Sequence, residues 1–196
     1  SIASGRHIKP EQVWCEGMRG ITVEDIAFAD RADMVIKFLG RCVKKGDGMV
    51  VYVAPHLIPK HRPLACVDGV FNGITVVGDE VDELMFYGRG AGAAPTASAV
   101  MGDIVDILEN PDRRGRLWED GSRYVEDCRV LENRWYVRMT GDLRTAEEIF
   151  GEFTAIIQSG GEVVFITAKM DGYSFEQRIK ILKELSIVNS SFRVLD

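Results

Sequence analysis

The sequence predicts an α+β fold: a largely antiparallel sheet with covering helices, followed by a ferredoxin-like β-α-β-β-α-β unit. Three observations lead there. Short β-rich runs separated by glycine-bearing turns fill the stretch from Met34 to Tyr87. A helix rich in small residues follows a glycine turn, running from Pro95 to Leu108. From Trp135 onward the pattern becomes strand, helix, two strands, helix and strand.

Val13, Trp14 and Met18 are candidate core residues of a short mixed stretch. Thr22 opens a helix, and Asp25 three positions on completes a capping-box pattern. Ile26 and Ala29 or Ala32 would face inward. Met34 to Leu39, extending toward Val43, reads as a strand. Lys44-Lys45-Gly46-Asp47-Gly48 turns the chain, and Met49 to Ala54 completes a hairpin. Gly73 to Val77 and Glu83 to Tyr87 are two further strands, joined at Gly78-Asp79-Glu80. Pro95 suits the first turn of the next helix, where its missing N–H costs nothing. Val100, Ile104, Ile107 and Leu108 recur at helical spacing as a core stripe, and Asn110-Pro111 ends the helix.

Asp112 to Glu119 has the charged composition of an exposed connector. Residues 1–112 therefore form the first domain, 113–133 a linker and 134–196 the second domain. In the second domain Trp135 to Met139 is an alternating strand, and Ala146 to Phe153 a short helix. Thr154 to Gln158 and Glu162 to Ala168 are strands joined at Ser159-Gly160-Gly161. Ser174, with Gln177 at the capping-box position, starts a helix faced by Phe175, Ile179, Leu182 and Leu185. Phe192 to Leu195 is the last strand.

Composition narrows the function classes. A net charge of −6 disfavours a nucleic-acid binder, which needs a basic face. The cluster Arg113-Arg114-Gly115-Arg116 reads as solvated loop. No apolar run approaches the roughly 18 residues of a membrane span. The start, Ser1-Ile2-Ala3-Ser4-Gly5-Arg6-His7, lacks the basic and apolar regions of a signal peptide. Cys15, Cys42, Cys66 and Cys128 form no C-x-x-C pair, which fits reduced thiols in a cytoplasmic protein. His56 and His61 have no third ligand at a defined spacing, so no metal site is expected.

The stretch with the most chemistry is Phe86 to Asp103, FYGRGAGAAPTASAVMGD. Gly88, Gly90 and Gly92 alternate where a backbone must bend or admit a ligand. Ala97, Ser98, Ala99 and Gly102 then let a helix lie close to its surroundings. Strand, glycine turn and helix N-terminus can accept phosphate or carboxylate, or can simply be a tight turn with a close-packed helix behind it.

This segment resembles the closing part of the catalytic domain of homoserine dehydrogenases. The likeness extends backwards in register through Glu16-Gly17-Met18, Ile21 to Ile26, Ile36 to Gly40, Leu57-Ile58-Pro59, Pro63-Leu64-Ala65 and Gly69 to Asn72, covering residues 1 to 110. It implies hydride transfer between NAD or NADP and the pair L-homoserine and L-aspartate 4-semialdehyde, in the biosynthesis of threonine, methionine and isoleucine. It places Gly92 and Thr96 beside the nicotinamide end of the cofactor, although Thr96 reads equally as a helix cap. The family's nucleotide-binding domain and catalytic lysine lie upstream of the matching region. No catalytic residue is therefore assigned, and Lys37 and Lys60 are declined as substitutes. Glu16 reads as a structural acceptor or surface acid, and Asp103 as facing water.

The resemblance also implies a homodimer through the sheet. The second domain resembles an ACT domain, an amino-acid-sensing module. It has Gly141-Asp142-Leu143 where that family carries Asp and then Pro-Gly, which leaves a bound amino-acid effector and a purely dimer-forming role both open. The rival to an enzyme portion is a stand-alone regulatory or scaffolding protein.

Overall fold

The computed structural model describes residues 1–111, 118–120 and 124–195. Arg113 to Arg116 and part of the linker expected over 113–133 lie outside the described residues. By packing, the chain forms two units: Ser1–Pro59 together with Trp118–Asp196, and Lys60–Leu117.

In chain order the main elements are α1 (Val23–Arg31), β1 (Met34–Lys45), β2 (Gly48–Pro59), β3 (Phe71–Gly78), β4 (Asp82–Arg89) and α2 (Ala93–Glu109). Then come β5 (Glu132–Thr140), α3 (Leu143–Phe150), β6 (Phe153–Ser159), β7 (Glu162–Thr167), α4 (Gly172–Leu185) and β8 (Ile187–Val194). The α+β class expected from the sequence is what the chain adopts, with a large, mostly antiparallel sheet.

In the first unit the sheet runs β6-β7-β5-β8-β2. The pairs from β6 to β8 are antiparallel, and β8 meets β2 in parallel. β1 and β2 pair along their full length, from Met34↔Pro59 to Lys45↔Gly48, around the turn expected at Gly46. The opposite edge of β2 is tiled by three short segments. Val125–Glu126 covers its start, Trp14–Cys15 its middle and Arg193–Val194 its end.

Alternation along β5 sends residues to both faces. Trp135, Val137 and Met139 join Phe165, Ala146, Phe150, Phe175, Ile179 and Leu182 under α3 and α4. Tyr136 joins Phe28, Ala29, Leu57, Val164 and Phe192 under α1. Trp135 stacks on Phe175 with ring centres 3.9 Å apart, and Tyr136 on Phe192 at 4.4 Å.

Several local expectations shift. Ala29 faces inward as expected, but Ile26 is exposed and Asp25 is buried in its place. Trp14 and Met18 lie on the surface. α3 starts and ends earlier than expected, stopped by Gly151 at φ 79°, a conformation that favours glycine. The cap of α4 is Asp171 rather than Ser174: its carboxylate accepts from Ser174 N at 3.0 Å and from Ser174 Oγ at 2.7 Å. Leu185 is exposed at the end of that helix.

Asp25 explains why α1 turns as it does. One carboxylate oxygen accepts from Thr22 N at 2.9 Å, which is the expected capping-box contact. The other accepts from Tyr136 Oη at 3.0 Å, from Arg138 Nε at 2.8 Å and from Ser190 Oγ. Arg138 also donates to Glu162 at 2.6 Å and to Thr22 Oγ1 at 2.9 Å. Burial raises the Asp25 pKa, but the bonds from Arg138, Ser190, Thr22 and Tyr136 outweigh it and hold the group below the ordinary carboxylate range.

A second buried polar group sits on β2. His56 is enclosed, with Nδ1 3.0 Å from the Ala54 carbonyl and Nε2 3.1 Å from the Tyr52 hydroxyl. A neutral ring with its proton on Nδ1 satisfies both contacts, donating to Ala54 and accepting from Tyr52. Burial, with Arg41 and Arg193 nearby, pulls its pKa down to about 4.

The second unit is the β3–β4 hairpin, paired from Phe71↔Arg89 to Gly78↔Asp82, followed by α2. Arg62 and Glu83 bridge at 3.3 Å within it. The expected core stripe of α2 is not buried: Val100, Ile104, Ile107 and Leu108 are 52%, 42%, 67% and 73% exposed. The periodicity is helical, but within the described residues nothing covers that face. Ile74, Val76, Leu84 and Phe86 on the hairpin are exposed too.

Two outcomes follow for the first unit. Asp25→Ala removes the buried acceptor shared by Arg138, Tyr136 and Ser190, leaving Arg138 paired with Glu162, and should cost about 3–5 kcal/mol in urea unfolding; a loss below about 1 kcal/mol would contradict this role. Because folded His56 has a pKa below its unfolded value, its contribution is full above pH 6.5 and is lost as pH falls toward 4. The loss should reach about 3 kcal/mol. His56→Gln should remove that part of the acid slope, measured by unfolding at stepped pH.

Candidate functional site

β4 ends at Arg89, and the chain turns through Gly90, Ala91 and Gly92 into α2. Gly92 is the N-cap, at φ 119° and ψ 153°. An L side chain rarely adopts that φ, so the conformation requires glycine. An added Cβ there would meet Pro95 Cδ at 3.5 Å, an ordinary contact, so backbone angle rather than space sets the demand. Gly88 and Gly102 have open space where a Cβ would go.

Thr96 lies in the first turn of α2 and is not its N-cap. Its amide and hydroxyl both donate to the Gly92 carbonyl, at 3.2 and 2.9 Å. The residue thus anchors the turn to the helix through a bond back to position i−4. Gly92, Ala93, Thr96, Ala97, Val100 and Met101 line one open groove along α2. The structure therefore brings Gly92 and Thr96 together on one shallow, open, mostly apolar surface. Asp103, further along the helix, is exposed.

The other candidates are spread elsewhere. Glu16 is a structural acceptor: it takes hydrogen bonds from Arg193 at 2.6 Å and from Trp14 Nε1 at 3.0 Å. Lys37 is on β1, opposite His56 across the hairpin, and Lys60 follows β2. All four cysteines are free, and Cys128 is buried against Arg193.

Sequence reasoning missed Arg193 as a buried group. Its guanidinium carbon lies over the rings of Tyr52 and Trp135, at 5.0 and 4.7 Å. The rings and Glu16 together offset the cost of enclosing a cation. A lone arginine inside the apolar run Phe192 to Leu195 was the available signal.

The described residues thus build a glycine turn at a helix N-terminus on an α+β scaffold. Comparisons with known proteins give the family. Residues 1–105 match the family model described as homoserine dehydrogenase. The chain belongs to the homoserine dehydrogenase family.

A homoserine dehydrogenase of Bacillus subtilis is 42% identical over 211 aligned positions, covering 94% of this chain and 48% of that protein. One of Synechocystis is 47% identical over 112 positions, covering 55% of this chain and 26% of that protein. The crystal structure of a homoserine dehydrogenase from Thiobacillus denitrificans superposes with a TM-score of 0.84 at 26% identity, covering all of this chain and 51% of that one. A Staphylococcus aureus homoserine dehydrogenase, at 24% identity and TM-score 0.75, shares the fold. The chain spans about half the length or less of these relatives.

Gly92→Ala should cost about 1–2 kcal/mol in chemical denaturation, from the forced backbone angle. Gly88→Ala, with open space around it, should change stability by less than about 0.5 kcal/mol. Equal costs at the two positions would refute the assignment of strain to Gly92.

Proposed function

We propose that this chain is the C-terminal half of a homoserine dehydrogenase, which interconverts L-homoserine and L-aspartate 4-semialdehyde with NAD or NADP. The observation that carries this reading is the family match through residues 1–105, which includes the glycine turn, on a chain about half as long as its relatives. The stand-alone regulatory or scaffolding reading is not favoured, because that match lies on a segment related to a catalytic domain.

The turn fits a cofactor. Gly92 has no side chain on a backbone that could scarcely carry one, and the groove beside it is apolar, as the flat nicotinamide end requires. When bound, the cofactor supplies the hydride acceptor. Gly92 would admit its close approach. Thr96, held to the Gly92 carbonyl, would keep the turn in place. The proton-moving lysine and the pyrophosphate site would come from the other half of the enzyme, so none of the residues here is assigned a catalytic role.

Residues 134–196 would be an ACT-like domain. The strand order β6-β7-β5-β8 with α3 and α4 on one face supports this. Its loop Gly141-Asp142-Leu143 lacks Pro-Gly. The exposed apolar hairpin β3–β4 and α2 support a homodimer through that sheet. No helix of the described residues is long and apolar enough to cross a membrane, and a cytoplasmic location is part of the proposal.

The test is to express the full gene product and the 196-residue chain side by side. Homoserine-dependent reduction of NAD or NADP is expected from the full-length protein and not from the chain alone. Activity in the chain alone, or none in the full-length protein, would overturn the reading.

A further inference from the structure

The three alternating glycines of the turn answer to different demands. Gly88 is unconstrained by its neighbours, and Gly92 is set by its backbone angle. Gly90 faces the far end of an exposed side chain on the adjacent strand. A Cβ placed on Gly90 would stand 1.6 Å from Asn72 Nδ2, 2.8 Å from Asn72 Cγ and 3.5 Å from Asn72 Cβ. The Asn72 carboxamide therefore occupies the place where the Gly90 side chain would be. Asn72 can reach it because β3 and β4 are in register: Asn72 lies opposite Gly88, and Gly90 is two residues further along.

We propose that Asn72 is a positioning residue for the glycine turn, and this inference rests on the reading of that turn as the cofactor contact. The turn is held from two sides. On the helix side Thr96 donates twice to the Gly92 carbonyl. On the strand side the Asn72 amide lies against Gly90 and limits how far the Gly90-Ala91-Gly92 backbone can swing. Asn is suited to this, because its side chain is short, ends in a flat group and has just two rotatable bonds. A backbone that must meet a flat ring closely has to be held to a fraction of an ångström. Asn72 would touch neither substrate nor the reacting atoms, and would act through Gly90 and Gly92.

This makes the pair separable by a double-mutant cycle in the full-length enzyme. Asn72→Ala removes the amide. Gly90→Ala displaces it from the other side. Each single change should raise KM for NAD(P) about fivefold to tenfold, with kcat and the KM for homoserine changing less than about twofold. In the Asn72→Ala background the added Cβ has room, so Gly90→Ala should add less than about a further twofold.

A role confined to hairpin stability would lower the melting temperature without this split in KM. Asn72→Ser, which keeps a small polar group, provides a second variant should Asn72→Ala fold poorly. The proposal is overturned if folded Asn72→Ala or Asn72→Ser keeps the wild-type KM for NAD(P). It is also overturned if Gly90→Ala has the same effect with and without the amide. Failure of the wild-type enzyme to reduce NAD(P) with homoserine would instead overturn the functional reading, and with it the role that rests on it.

Discussion

The first unit depends on one buried carboxylate. Asp25 lies in the first turn of α1, yet it takes hydrogen bonds from β5 through Tyr136 and Arg138 and from β8 through Ser190. These partners are more than a hundred residues away in sequence. A salt bridge this enclosed contributes little net energy over an apolar pair, since desolvation cancels much of the attraction. Its value is directional. An apolar residue at position 25 would let α1 slide or rotate on the sheet, whereas a carboxylate with four donors fixes one seat. The seating of α1 in turn closes the core around Phe28, Tyr136 and Phe192.

On the other face of the sheet, apolar packing does most of this work, with the Arg193 guanidinium over the Trp135 ring. Trp135, Phe165, Phe150 and Phe175 pack in a layer beneath α3 and α4, with Trp135 stacked on Phe175. Between the two faces β2 carries its own polar thread, from His56 to Tyr52 to Arg41, with Arg193 above the Tyr52 ring. The second unit has a different balance. Its hairpin and helix expose most of their apolar residues, and the glycine turn is a sharply constrained region within it.

Most of the fold was legible because local signals agreed with each other. The hairpin of β1 and β2, the helix at Thr22 and the β-α-β-β-α-β order all follow from periodicity, turns and caps. What could not be read were pairings between distant segments. Asp25 looked like a capping residue, which it is, but nothing near it in sequence pointed to Arg138. The stripe of α2 was correctly periodic, but periodicity does not say what lies opposite it. Ser174 reads in the sequence as the N-cap of the last helix, but the helix begins earlier, at Gly172, so Asp171 takes that place. At the turn, the value of glycine at 92 was legible, whereas the closeness of Gly90 to Asn72 across the hairpin was not.

The tiled edge of β2 has a bearing on how the chain is made. Its partner β1 lies immediately before it in sequence, so one side is satisfied as soon as both have left the ribosome. The far end of its other side waits for Arg193 and Val194. During synthesis a long, apolar strand therefore stands with open N–H and C=O groups while well over a hundred residues are added. Such an edge is a template for pairing with the wrong chain. The interval between β2 and β8 is the period when a nascent chain of this kind would most need a chaperone.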